Sequence, residues 1–130
     1  MKRRAAREKA LQILFQADLG KTPVEEVYQG AVNETEEDDF LKQIVFGTAE
    51  HLEELDQLIE EHLVNWTLSR LANVDKNILR MAVYEMKYME DIPFQVTINE
   101  AIEIAKRFGD AESGRFVNGV LARIQETLQN

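Results

Sequence analysis

The stretch Pro93-Phe-Gln-Val-Thr-Ile-Asn-Glu-Ala-Ile-Glu-Ile-Ala-Lys-Arg-Phe-Gly109, continued by Asp110-Ala-Glu-Ser-Gly-Arg-Phe-Val-Asn-Gly-Val-Leu-Ala-Arg-Ile124, decides the fold. Ile98, Ala101, Ile102, Ala105 and Phe108 recur at three- and four-residue spacing, which places them on one face of a helix. Thr97 and Glu100 have capping-box spacing at its start, and Gly109 is a C-terminal stop. A second helix is expected from the Asp110–Ser113 region. It buries Phe116 or Val117, then Val120, Leu121, Ile124 and Leu128. The joint between the two helices gathers Lys106, Arg107, Phe108, Arg115 and Phe116, a cationic and aromatic cluster in an acidic chain.

The same period extends outward. Residues 3–18 read as a helix carrying Ala6, Ala10, Ile13, Leu14 and Ala17 inward, with Leu11 and Phe15 widening the stripe. Thr22-Pro23-Val24-Glu25 has the form of a helix start, with Thr22 as cap and Pro23 at the first position. A single long helix is expected from about Asp38 to Val64, its seam running through Leu41, Leu52, Leu55, Ile59 and Leu63. Gly47 inside it implies a close helix crossing. Asn65 to Ala72 is a break anchored by Trp66, Leu68 and Leu71. The next helix runs from Val74 to about Tyr88, capped by Asn73 and facing inward with Ile78, Leu79, Ala82, Val83 and Met86. No segment alternates over the length of a strand, so the fold class is all-α with about six or seven helices.

A chain of 130 residues suits one domain with a real core. It has no cysteine, which excludes disulfides, thiolate metal sites and cysteine nucleophiles. No apolar run reaches the roughly 20 residues of a membrane helix, and the N-terminus lacks the unbroken apolar segment of a signal peptide. The formal net charge of −9 argues against indiscriminate binding to nucleic acid. Its distribution argues otherwise. Residues 1–10 carry five Lys or Arg against one Glu, whereas residues 21–65 carry two Lys against thirteen acids. Local potential is what a phosphate meets within a Debye length of about 10 Å. Arg3, Arg4 and Arg7 lie on one side of the first two helical turns, where the helix dipole disfavours cations. Either they are a solvated helix start or they await phosphate.

Catalytic signatures are absent. There is no Gly-rich phosphate loop, nucleophile elbow or His-Glu-x-x-His. His51 and His62 are separated by about 16 Å along a continuous helix, too far to share a metal, and read as surface histidines. Neighbouring acids such as Glu53 and Glu54 sit on an exposed face, where nothing raises one pKa for acid catalysis. No metal, cofactor or enzymatic activity is expected.

Five strings together resemble the NusB family of transcription antitermination factors. They are Arg3-Arg-Ala-Ala-Arg-Glu-Lys-Ala-Leu-Gln-Ile-Leu-Phe15, Val74-Asp-Lys-Asn-Ile-Leu-Arg-Met-Ala-Val-Tyr-Glu85, Ile92-Pro93, Ile98-Asn-Glu-Ala-Ile-Glu-Ile-Ala-Lys-Arg-Phe-Gly109 and Arg115-Phe-Val-Asn-Gly-Val-Leu121. The resemblance spans nearly the whole chain in order, and the last two strings are the specific ones. It implies one cytoplasmic domain of two packed small helical bundles, here about residues 1–64 and 65–130. It implies binding to the boxA element of nascent ribosomal RNA as a heterodimer with NusE, in a complex with NusA, NusG and RNA polymerase. Alone, such proteins are monomers or weak homodimers.

Carried over by motif, Lys2, Arg3, Arg4 and Arg7 would meet phosphates. Phe15, Phe108 and Phe116 would be available to bases, with Lys106 and Arg115 beside them. Each phenylalanine has core packing as its competing role. Glu112 would tune RNA affinity by repelling phosphate. Asp75, Arg80 and Tyr84 would face NusE. Two other classes remain. One is an accessory domain like that preceding the catalytic part of an rRNA cytosine methyltransferase, for which the chain holds no cofactor-binding fold. The other is a protein-interaction module using the acidic face around Glu53 and Glu54.

Overall fold

The computed structural model describes all 130 residues and is all-α, with seven helices and no strand. In order these are α1 (Arg3–Gly20), α2 (Val24–Ala31), α3 (Asp39–Glu50), α4 (Leu52–Glu61), α5 (Asn73–Tyr88), α6 (Phe94–Phe108) and α7 (Ser113–Gln129). Single 3₁₀ turns at Glu34–Glu36 and Leu68–Arg70 precede α3 and α5.

Helix α5 is the axis of the molecule. It packs against α1, α3 and α4 and also against α6 and α7. Every residue from Asn77 to Met86 is buried. A helix enclosed on all sides need not be amphipathic, and its polar members must then find partners inside. They do. Arg80 donates to Asp56 Oδ1 and Oδ2 on α4, at 2.7 and 2.8 Å, and lies 3.5 Å from Asp18 on α1. Asn77 donates to Asp18 at 3.2 Å. Glu85, 1% exposed, accepts from Arg7 on α1 and from the Thr97 hydroxyl on α6. Polar bonds thus tie α5 to α1, α4 and α6, alongside one continuous apolar cluster.

Several local expectations are revised. The long helix is broken at His51 (φ −109°, ψ 20°), which ends α3 and begins α4. His51 Nδ1 donates to the Gly47 carbonyl at 2.8 Å, and its ring packs tilted against Tyr88 with centroids 4.4 Å apart. Past the break, Leu55 and Ile59 of α4 are buried. Neither histidine is a free surface group, since His62 Nδ1 donates to the Leu58 carbonyl at 2.7 Å. Thr97 does not cap α6. The helix begins three residues earlier, at Phe94, and the Thr97 hydroxyl is committed to Glu85. Thr22 likewise caps nothing: Pro23 holds the N-cap position of α2 and the Thr22 hydroxyl donates to the Gly20 carbonyl. Asn73 lies inside α5, and its side chain is not a cap. The close crossing at Gly47 is present, with the Tyr84 ring seated against it.

Candidate nucleic-acid interface

Three adjoining depressions follow the α1–α6 seam to the α6–α7 turn. The first is charged and about 240 Å³, lined by Arg4 and Glu8 of α1 and by Glu103, Lys106 and Arg107 of α6. The second is mainly apolar and about 480 Å³, bringing Leu11 and Phe15 of α1 against Phe108 and Val74. Glu8 borders both. The third, about 460 Å³, lies across the Val74–Asp75 and Phe108–Asp110 backbone from the second. It collects Trp66, Arg70, Asp75, Glu112, Arg115 and Phe116.

The α6–α7 turn that joins them is built by short-range bonds. Gly109 closes α6 in an extended conformation, and its amide donates to the Ala105 carbonyl at 2.9 Å. Asp110 Oδ1 accepts from the Glu112 amide at 2.9 Å and from the Ser113 hydroxyl at 3.3 Å. Where α7 starts back along α6, a Cβ on Gly114 would stand 3.2 Å from Lys106 Cγ. The small residue therefore keeps Lys106 and Arg115 close to one end of the molecule.

The N-terminal cations divide. Lys2, Arg3 and Arg4 are exposed, and the Arg3 guanidinium lies 4.4 Å from the centroid of the Phe40 ring. Arg4 donates to both Glu100 oxygens, at 3.0 and 2.6 Å, and this hydrogen bond holds Glu100 below the usual carboxylate range. Arg7, grouped with them by sequence, turns inward. It is 4% exposed and paired with Glu85, so its charge serves the core rather than the surface.

On α6, Arg107 donates to Glu8 at 2.8 Å and covers the Phe108 ring, while Lys106 sits 3.7 Å from Glu103. Exposed pairs of this kind are worth at most about 1 kcal/mol, so a phosphate can exchange for the carboxylate. Arg115 is exposed and makes no ion pair. Phe108 is 44% exposed, whereas Phe15 and Phe116 are half-buried walls of the second and third depressions.

Asp75, Arg80 and Tyr84 do not form one surface. Nine residues of helix place Asp75 and Tyr84 about 13 Å apart along α5 and on opposite sides of it. Arg80 is held inside by Asp56, and Tyr84 is buried at the α3 crossing. Only Asp75 borders a depression. Trp66, expected as an apolar anchor of the break, is instead 54% exposed beside Arg70. Its occurrence in a break rather than on a helical stripe was the available signal.

Asp75 is anomalous. It is 8% exposed, and its Oδ1 is enclosed without a hydrogen-bond partner. Burial pushes its carboxyl up. The Ser113 hydroxyl, whose hydrogen bond goes to Asp110, pulls it only partly back, and the Asp110 charge adds to the rise. A carboxyl with a raised folded pKa binds protons more readily folded than unfolded. Stability therefore falls as pH rises between the unfolded and folded pKa values, and the penalty is complete only above the folded value. Asp75→Asn is expected to raise the thermal midpoint at neutral pH, with the gain shrinking as pH is lowered below the carboxyl's folded pKa. Melting curves from pH 4 to 8 check this. A gain independent of pH would show that ionisation is not its source.

An all-α scaffold with exposed arginines and part-exposed aromatic rings along one seam offers the charge and stacking surface of a nucleic-acid-binding protein. The NusB family profile matches residues 4–126, and this chain belongs to the NusB family. It is 55% identical over 129 residues to a Bacillus subtilis protein, covering 99% of this chain and 98% of that one. It is 54% identical over 129 residues to a Geobacillus kaustophilus protein, with 99% of each covered. Both relatives are named transcription antitermination protein NusB. Among solved structures, T. maritima NusB superposes with a TM-score of 0.89 at 38% identity, over 100% of this chain and 99% of that one. A structure described as the antitermination factors NusB and NusE in complex with dsRNA gives 0.86 at 29% identity, over 96% of each.

Proposed function

We propose that this protein is a cytoplasmic transcription antitermination factor that binds boxA RNA of nascent ribosomal transcripts together with NusE. It takes its place beside NusA and NusG on RNA polymerase, without catalysis, and alone is a monomer or weak homodimer. The observation that carries the reading is the superposition on a NusB described in complex with NusE and double-stranded RNA. The seam supports it from the residues upward. Lys2, Arg3, Arg4, Lys106 and Arg115 supply phosphate contacts, and Phe108, with Phe15 and Phe116 as half-buried walls, supplies stacking surface. Of the residues expected to face NusE, Asp75 alone borders the surface, so contact through that group runs by the start of α5.

The test is fluorescence anisotropy of a labelled boxA RNA, with and without NusE, across a salt series. With about five phosphates neutralised, the logarithm of affinity falls with the logarithm of salt at a slope of about −3.5. Arg4→Ala is expected to weaken binding several-fold and to flatten that slope by up to about 1. Glu112→Gln, which removes an exposed acid beside Arg115, tightens binding. If Arg3→Ala and Arg4→Ala leave boxA affinity unchanged at moderate salt, the N-terminal half of the site is wrong.

A further inference from the structure

Two arginine–carboxylate pairs cross the α1–α6 seam, and they leave their arginines differently committed. Arg4 meets Glu100 side-on, with Nε and Nη2 each donating to one oxygen, at 3.0 and 2.6 Å. That edge of its guanidinium is closed. Arg107 gives Glu8 a single nitrogen, Nη1, which donates to both carboxylate oxygens at 3.1 and 2.8 Å. Its Nε and Nη2 donate to no protein acceptor. Those two groups are the parallel donors that match two oxygens of a phosphate. Building on the RNA-binding reading above, we infer that Arg107 is a further RNA-contacting residue, taking one phosphate through Nε and Nη2, and that Glu8 is the residue that positions it.

Arg107 is held ready from two sides. Glu8 is a half-buried group that borders both the charged and the apolar depression, so it fixes the guanidinium on the ridge between them. The guanidinium carbon also lies 5.1 Å from the centroid of the Phe108 ring, a cation–π contact. Phe108 still exposes part of its ring and lines the apolar depression. A phosphate on the open edge of Arg107 therefore leaves a neighbouring base beside an aromatic surface. A solvated arginine loses rotamer freedom when it binds, whereas one already held by a carboxylate and a ring has lost it beforehand. Exchange of carboxylate for phosphate is open to an exposed pair, but at Arg107 it is not needed. Glu8 thus acts against the sign of its charge. Glu100 acts with it, because it occupies the edge of Arg4 that a phosphate requires. Arg7 Nη1, 3.7 Å from Glu100, keeps that acid paired once Arg4 leaves.

The test is a double-mutant cycle on Glu8 and Arg107. It is read by anisotropy of labelled boxA RNA and of oligouridine of the same length, across a salt series, with and without NusE. Arg107→Ala is expected to weaken both RNAs alike, by about fivefold, and to flatten the salt slope by up to about 1, as loss of one phosphate contact does. Arg107→Lys should keep the slope but lose about threefold in affinity, since the charge stays and the paired donors go. Glu8→Gln should weaken binding about twofold in the parent, opposite to what removing a negative charge does by itself, and tighten it in the Arg107→Ala background, where only repulsion remains to be relieved. Glu100→Gln should tighten binding in the parent. Melting curves establish that each variant is folded, and Arg107→Lys carries the test should Arg107→Ala perturb the end of α6. Unchanged affinity and slope in folded Arg107→Ala would overturn the contact. Glu8→Gln that tightens binding equally in both backgrounds would overturn the positioning role. Failure of both RNAs to bind the parent, with or without NusE, would overturn the RNA reading and this contact with it.

Discussion

Arg7→Ala is expected to lower the unfolding free energy by about 3–5 kcal/mol, the range for removing one partner of a buried ion pair. Arg7 Nε donates to Glu85 Oε2 at 3.1 Å and its Nη2 donates to Oε1. Glu85 lies on the central helix with 1% exposure. Without the guanidinium, its remaining hydrogen bond is the one from the Thr97 hydroxyl at 3.0 Å, far less than a carboxylate needs away from water. Arg7 also lies 3.7 Å from Glu100 and 5.0 Å from the Phe40 ring centroid, so the truncation loosens α1 against α3, α5 and α6 together. Urea denaturation reads this as a fall in midpoint of about 2 M at a slope near 2 kcal/mol/M.

The same residue separates two roles that the sequence runs together. RNA binding by Arg7→Ala is uninformative if the chain unfolds. The double variant Arg7→Met with Glu85→Leu replaces the pair by apolar groups, a change that is often neutral or stabilising at buried pairs. It is expected to recover most of the stability and to bind boxA RNA as the parent does. A folded double variant with RNA affinity reduced tenfold would show that Arg7 itself reaches phosphate.

Helical periodicity made most of the fold legible, because six of the seven helices bury one face and expose another. It failed where a residue's role depends on a distant partner. Arg80 was expected to face a partner and Glu85 lies off the apolar stripe, but α5 is surrounded, and both are buried because Asp56 and Arg7 arrive from α4 and α1. Thr97 has the spacing of a cap, yet Glu85 outcompetes the local amide for its hydroxyl. The break at His51 leaves no glycine or proline signal, since it coincides with a side chain that takes a carbonyl within its own helix and packs against Tyr88 of α5. At the candidate site the joint between α6 and α7 was visible as a cluster of cations and rings. Its acid partners, Glu8 and Glu100, were not, because each lies more than ninety positions from the arginine it binds.

Gly47→Ala is expected to cost about 2 kcal/mol, although helix propensity alone predicts a gain of roughly 1 kcal/mol. The sign depends on whether Tyr84 can withdraw. A Cβ at position 47 would overlap the Tyr84 ring and hydroxyl, and that ring has little freedom. It is buried, stacked on Tyr88 at 5.2 Å between centroids, and 5.9 Å from the His51 ring. Tyr88 is itself held, its hydroxyl donating to Glu54, which also accepts from Lys87 at 2.7 Å. The added methyl must therefore move α3 away from α5 or displace three rings, and overpacking of this kind costs about 1–3 kcal/mol and occasionally more. Tyr84→Leu shortens the obstructing side chain, so in the double variant the alanine should become neutral or favourable. The expected coupling between the two sites is at least about 1 kcal/mol. A Gly47→Ala protein more stable than the parent, with no coupling to position 84, would mean that the α3–α5 crossing has room the structure does not show.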